Sequence, residues 1–165
     1  MNVLWSYFWP AFAAGLLIGA VAGLVGFRRK KQAAILASAA IVTIAAAMVW
    51  HGPLGAADRF SGQVERRAQE TLVYYEMSTV TARLHHGPLT RRLALSGTAD
   101  DFQRSELVRI MGDLPGASRA SWSGANGGLP LIVEGSIASL VGFLIGLLLA
   151  YLVELRRRYN AQWKW

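Results

Sequence analysis

The stretch LWSYFWPAFAAGLLIGAVAGLVGFRRKK, residues 4–31, decides the fold class of this chain, because an uncharged apolar run ends directly in a basic cluster. The apolar part, residues 4–26, is longer than the roughly 20 residues that a helix needs to cross a hydrocarbon core. We predict a transmembrane helix over residues 4–26 and a basic loop over residues 27–32, with the cations Arg28, Arg29, Lys30 and Lys31.

Two later stretches are also apolar and almost free of charged residues. Residues 33–50 carry no Asp, Glu, Lys or Arg, and residues 136–155 carry only Glu154, which can pair with Arg158 if the helix continues. We predict the second and third transmembrane helices over residues 33–51 and 131–155. A basic tail over residues 156–165 follows, with Arg156, Arg157 and Arg158 next to the last span.

The two basic clusters predict the orientation. Lys and Arg beside transmembrane segments are kept on the cytoplasmic side, so the loop and the tail are expected there. The N-terminus and residues 52–130 are then periplasmic, in a multi-pass protein of the bacterial inner membrane. Five of the six tryptophans lie near predicted span ends, as aromatic residues at lipid headgroups do: Trp5, Trp9, Trp50, Trp163 and Trp165.

A cleaved signal peptide is the alternative interpretation of the first run, because Ala11, Phe12 and Ala13 form a small-x-small pattern. The positive n-region of a signal peptide is missing, and the apolar run continues well beyond this point. The sequence therefore favours an uncleaved helix.

The net charge of +7 comes from the membrane-flanking clusters. Eight of the 17 basic residues lie in the loop and tail, whereas residues 53–130 have nine basic and eight acidic residues, a difference of +1. We therefore predict no nucleic-acid partner. The absence of cysteine excludes disulfides and thiolate metal sites.

The segment between the second and third spans has the pattern of a small α+β module. Apolar residues at spacings of four, four and three predict an amphipathic helix over residues 58–75, with Val64, Ala68, Leu72 and Tyr75 on its buried face. Alternation then predicts a hairpin around a Gly87-Pro88 turn, with one apolar face made of Val80, Ala82, Leu84, Leu93 and Leu95.

A second helix and a third strand complete this pattern. Thr98 or Asp100 can cap a helix that Pro115-Gly116 ends, with an apolar stripe of Leu107, Ile110, Met111 and Leu114. Ala120 and Trp122 then alternate with polar residues as a short strand. The sequence predicts an α+β membrane protein, with an α-β-β-α-β module over residues 56–123 and a linker over residues 124–130 before the third span.

The sequence RLALSGTADDFQRSELVRIMGDLPGASRASWS, residues 92–123, resembles the second half of a BON domain. There a strand ends in a glycine, here Gly97, a helix follows, and a Pro-Gly turn with Gly116 leads to the last strand; residues 59–86 supply the preceding helix and strand. Ala117 replaces the usual valine, and the hairpin connection is long. The resemblance implies a non-enzymatic role, binding phospholipid surfaces or envelope proteins.

Catalysis is not predicted. A histidine-based site would use His51, His85 or His86, and the adjacent pair points to opposite faces of a strand. His51 follows Ala47 by four residues, a spacing found in pigment-ligating antenna helices, so it is a candidate bacteriochlorophyll or heme ligand. Its alternative role is anchoring at the interface, and we predict no cofactor and no metal.

Small residues at spacings of four predict close helix packing. They are Gly15, Gly19 and Gly23 in the first span and Gly142, Gly146 and Ala150 in the third. These faces can pack on each other or on an integral-membrane partner. Two functions follow as expectations: an inner-membrane scaffold whose BON-like module binds an envelope partner or lipid headgroups, and a stabilising accessory subunit of a larger respiratory or photosynthetic complex.

Overall fold

A computed structural model describes residues 2–122 and 127–162 of the chain. These residues form a mixed α and β structure with five helices and one three-stranded sheet. The elements in chain order are α1 (Val3–Gly26), α2 (Gln32–His51), α3 (Ala56–Tyr74), β1 (Val80–His86), β2 (Leu89–Gly97), α4 (Asp101–Gly112), β3 (Arg119–Ser121) and α5 (Leu131–Gln162).

The chain divides into two compact units. The first, the sheet unit, comprises Met1–Tyr7 and Gly55–Glu134. The second, the helical unit, comprises Phe8–Leu54 and Gly135–Trp165.

Three helices, α1, α2 and α5, are long and apolar enough to cross a membrane. Their most apolar windows have mean hydropathies of 2.0, 2.2 and 2.4. This composition is compatible with a multi-pass membrane protein. Helix α5 runs beyond residue 155 to Gln162, so the first part of the predicted tail is helical. The rest of that tail, Trp163, Lys164 and Trp165, lies outside the described residues.

The sheet has the order β1-β2-β3. Strands β1 and β2 pair antiparallel, as the predicted hairpin requires, whereas β3 pairs parallel to β2 because α4 carries the chain across between them. The predicted alternation is confirmed: the sheet's buried face contains Val80, Ala82, Leu84, Leu93, Leu95 and Ala120.

Two helices of the sheet unit also contribute to its core. The buried positions of α3 include the predicted Val64, Ala68 and Leu72, and those of α4 are Leu107 and Met111. Of the two cap residues that the sequence allows, Thr98 and Asp100, the structure uses Asp100: its side chain accepts a 2.7 Å bond from the backbone N–H of Gln103, and the Gln103 side chain accepts one from the Asp100 N–H. This reciprocal pair fixes the start of α4.

The first turns of α1 belong to the sheet unit, which the apolar pattern of the predicted span does not indicate. Val3 and Tyr7 are buried there, and the Tyr7 ring lies 5.5 Å from that of Phe60 on α3 in an edge-to-face arrangement. Its hydroxyl donates a 3.4 Å bond to the carbonyl of Leu131 at the start of α5.

Two positive φ angles mark the ends of the strand and the helix that carry the resemblance. Gly97, at the end of β2, has φ of 129°, and Gly116, after α4, has φ of 108°. A Cβ atom at Gly116 would lie 2.6 Å from Cγ2 of Val64. Both positions therefore favour glycine for backbone and for steric reasons. In the predicted linker, residues 124–126 lie outside the described residues.

Candidate functional site

The small-residue faces of α1 and α5 lie against each other in the helical unit. A Cβ atom at Gly15 would collide with the carbonyl of Ser139, and one at Gly19 with the carbonyl of Phe143. The glycines of α5 are equally close to α1: Gly142 lies against the carbonyl of Phe12, and Gly146 against that of Leu16. Gly23 of α1 lies against the methyl group of Ala150. The backbones approach this closely because neither face carries larger side chains.

Helix α2 makes a smaller contact within the same unit. Ser139 on α5 donates a 3.5 Å bond to the carbonyl of Thr43, and both side chains are fully buried. Only Thr43 and Ala47 are buried on α2. The helix leaves most of its apolar surface outside the unit, including Ile41, Val42, Met48 and Val49.

Glu154 forms ion pairs with three of the cations that predict the orientation, Arg28, Arg157 and Arg158. Its carboxylate lies 3.4 Å from Nε of Arg28, 3.2 Å from Nε of Arg157 and 3.2 Å from Nε of Arg158, so the predicted pairing with Arg158 is present. Its side chain is only 6 % exposed. Charge-assisted bonds of this kind connect the loop after α1 to α5. The other cations that predict the orientation are Arg29, Lys30, Lys31 and Arg156.

Those four cations are exposed, and within residues 2–122 and 127–162 no ion pair involves them. The cluster around Glu154 has a structural role, and Arg29, Lys30 and Lys31 are left as a positively charged surface between α1 and α2.

The structure places His51 at the last position of α2, half-buried, with the buried Ala47 one turn before it. Among the described residues no group of three or more His, Cys, Asp or Glu side chains is arranged to hold a metal ion.

The other two histidines end β1 and make separate contacts. The ring of His86 lies 2.9 Å from a carboxylate oxygen of Glu65, which also accepts a 2.9 Å bond from the backbone N–H of Leu84. The ring of His85 lies 3.0 Å from the carbonyl of Gly87. Glu65 therefore links α3 to the strand, an interaction that stabilises the sheet unit without bringing the two histidines together.

The sheet unit has a surface cleft of about 420 Å³ between the end of α3 and the end of α4. Tyr74 is 80 % exposed and Tyr75 46 % exposed, and their ring centroids are 5.2 Å apart with nearly perpendicular planes. We call this site the tyrosine cleft; it is lined by Arg67, Glu70, Thr71, Tyr74, Tyr75, Ile110 and Leu114.

A strained helix end presents these two rings. The N–H of Met77 donates a 2.9 Å bond to the carbonyl of Leu72, and the N–H of Glu76 donates a 3.0 Å bond to that of Val73. Glu76 has φ of 58°, the left-handed conformation that glycine usually adopts after a helix. For a residue with a side chain this conformation costs about 1–2 kcal/mol. Strain of this kind concentrates at functional sites.

The predicted burial of Tyr75 is therefore wrong. The helical spacing of four, four and three places Tyr75 on the buried face only if the helix continues, but α3 ends at Tyr74 and the chain turns. Two consecutive tyrosines before the turn are the sequence signal that could have identified this surface. Ile110 and Leu114, predicted in the stripe of α4, are half-buried and line the cleft.

No family model, curated protein or solved structure matches the chain significantly.

Proposed function

We propose that this protein is a non-enzymatic scaffold of the bacterial inner membrane whose sheet unit binds an envelope protein through the tyrosine cleft. In this proposal α1, α2 and α5 span the membrane, and the basic loop and tail are cytoplasmic. The N-terminus and residues 52–130 are periplasmic, and residues 56–123 form a BON-like module.

The exposed tyrosine pair carries the proposal. Tyrosine and arginine are enriched where proteins contact each other, because they combine a large rigid surface with hydrogen-bonding groups. Tyr74 and Tyr75 offer two such rings in a cleft that Ile110, Leu114 and Arg67 also line.

The charges in the cleft favour a protein over lipid headgroups. Arg67 is accompanied by Glu70, so the cleft carries one positive and one negative side chain. An anionic headgroup would meet Glu70 as well as Arg67 and would therefore find no net positive charge, whereas a protein partner can match a cleft of mixed charge.

The two glycines support the BON-like assignment. Gly97 and Gly116 are the residues on which the resemblance depends, and both have a positive φ. The element order α3-β1-β2-α4-β3 is the order that the resemblance implies.

The test is site-specific photo-cross-linking in native membranes, with a photoreactive residue at position 74 of the full chain and a second at position 102. Phe102 is 76 % exposed on α4 and does not line the cleft, which makes it a matched control. We expect a protein adduct of defined mass from position 74 alone, and we expect Tyr75→Ala to reduce its yield about tenfold or more, as truncation of a central contact residue does.

Equal protein adducts from both positions would contradict the proposal. Adducts from position 74 that contain only lipid would also contradict it, and would indicate that the cleft binds lipid headgroups instead of a protein.

A second function, a stabilising subunit of a larger membrane complex, is favoured by α2. Most of its apolar side chains remain outside the helical unit, with Ile41 69 % exposed and Met48 52 % exposed. Another membrane subunit would pack on such a surface. Solubilisation in mild detergent and measurement of particle mass tests this function: a particle with the mass of this chain alone would contradict it.

A further inference from the structure

An apolar groove of about 490 Å³ runs between α1 and α2 within the helical unit. Its walls are almost entirely aliphatic, with Leu17, Val21 and Val25 from α1 and Ile35, Ala39 and Val42 from α2. Ser38 is the polar side chain of the lining, and its hydroxyl donates a 2.9 Å bond to the carbonyl of Ile35. The hydroxyl is thus satisfied within its own helix, so the groove suits a hydrocarbon chain.

One end of this groove is strongly basic. Val25 and Ile35, the lining residues nearest the turn between the helices, flank the exposed cations Arg29, Lys30 and Lys31. Helix α1 ends at Gly26, directly after Val25, and the three cations follow within the next five residues.

The helical unit cannot neutralise this end from its own residues. Glu154 is the one acidic residue in the sequence of Phe8–Leu54 and Gly135–Trp165, against eight basic residues. Its carboxylate is already bound by Arg28, Arg157 and Arg158. The unit therefore has a net charge of +7 and needs anions from its surroundings.

We propose that this groove and loop bind an anionic phospholipid, with one acyl chain along the groove and the phosphate beside Arg29, Lys30 and Lys31. A phospholipid supplies the apolar chain and the negative group in one molecule. Basic pockets between membrane helices bind anionic headgroups for this electrostatic reason. The site is separate from the tyrosine cleft and does not rest on the function proposed for it, because it needs only α1 and α2 within a bilayer.

The experiment is native mass spectrometry of the full chain in mild detergent, with equimolar phosphatidylglycerol and phosphatidylcholine carrying identical acyl chains. We expect a single bound lipid and a preference for phosphatidylglycerol of at least about fivefold, the factor that corresponds to about 1 kcal/mol from one lysine or arginine near an anionic surface.

Two pairs of variants separate the two parts of the site. Ser38→Phe fills the groove and should remove both lipids, whereas Ala37→Phe adds a ring at the neighbouring exposed position outside the lining and should leave binding unchanged. K30Q/K31Q should abolish the preference for phosphatidylglycerol. R156Q/K164Q removes the same net charge from the tail and should preserve that preference.

A measurement on the unaltered protein covers the case in which K30Q/K31Q does not insert correctly. The preference should disappear as salt approaches about 1 M, where the Debye length falls to about 3 Å. Equal retention of the two lipids by the wild-type chain, a salt-independent preference, or equal lipid loss from Ser38→Phe and Ala37→Phe would overturn the proposal.

Discussion

Gly19 on α1 leaves no space for a side chain, because the backbone carbonyl of Phe143 on α5 occupies the position where a Cβ atom would lie. We therefore expect Gly19→Ala to push the helices apart and to lower the unfolding free energy by about 1–3 kcal/mol, the usual cost of overpacking. Reversible unfolding of the full chain in mixed detergent micelles measures the change.

The matched control is Gly62→Ala, also within a helix. A Cβ atom at Gly62 has nothing within 4 Å, so the better helix propensity of alanine should stabilise the protein by about 0.5–1 kcal/mol. If the unfolding free energy changes with the same sign in both variants, the close contact between Gly19 and Phe143 does not determine the effect of Gly19→Ala.

Glu154→Gln is expected to destabilise the helical unit, because it leaves three guanidinium groups without their common carboxylate. Only Glu154 of this cluster is buried, and removing a charge that three cations share costs more than breaking one exposed pair. Thermal unfolding of the detergent-solubilised chain should show a clearly lower Tm.

The control for this variant is Glu106→Gln, which breaks an exposed pair with Arg109 one turn along α4. Its Tm should stay close to that of the wild type. A Tm for Glu154→Gln as high as that of this control would contradict the structural role of the cluster.

Asp100→Ala removes the reciprocal cap of α4, and we expect a loss of about 1 kcal/mol, the typical value for such caps. Asp101→Ala removes a carboxylate from the first turn of the same helix and tests charge alone, worth about 0.3–1 kcal/mol. Unfolding free energies should therefore rank wild type, Asp101→Ala, Asp100→Ala. The reverse order of the two variants would show that the cap contributes less than the helix dipole.

Glu76→Gly should relieve the left-handed strain after α3 and stabilise the protein by about 1 kcal/mol. The comparison is Asp113→Gly at the corresponding end of α4, where φ is −85° and glycine brings no such relief. Chemical denaturation of both variants measures their unfolding free energies. Stabilisation by Asp113→Gly or destabilisation by Glu76→Gly would exclude strain at Glu76.

The helices and strands of this fold can be predicted from the sequence, because each forms through residues that are close together along the chain. The three apolar helices follow from the length of their runs, and β1 and β2 follow from the alternation of Val80, Ala82 and Leu84 and of Leu93 and Leu95 with polar or small residues. The cap of α4 was narrowed to Thr98 or Asp100 because a cap binds a backbone N–H only two or three residues away, and the structure shows that it is Asp100.

The candidate sites are less readable, because their residues come together from distant parts of the chain. The tyrosine cleft joins α3 to residues about 40 positions later, and its exposure depends on where α3 ends. The position of Glu154 beside Arg28 also requires two elements 126 residues apart in sequence to meet.

The sequence by itself determined three apolar helices, the charge asymmetry at their ends, and the helix-strand-strand-helix-strand order, because length, charge and periodicity are local properties of the chain. Only the tertiary structure decided that Val3 and Tyr7 contribute to the core of the sheet unit and that Tyr74 and Tyr75 form an exposed pair. It also decided that the glycines of α1 pack against α5. Which apolar face is covered, and by what, depends on how separate elements pack together, and spacing along one element carries no information about its neighbour.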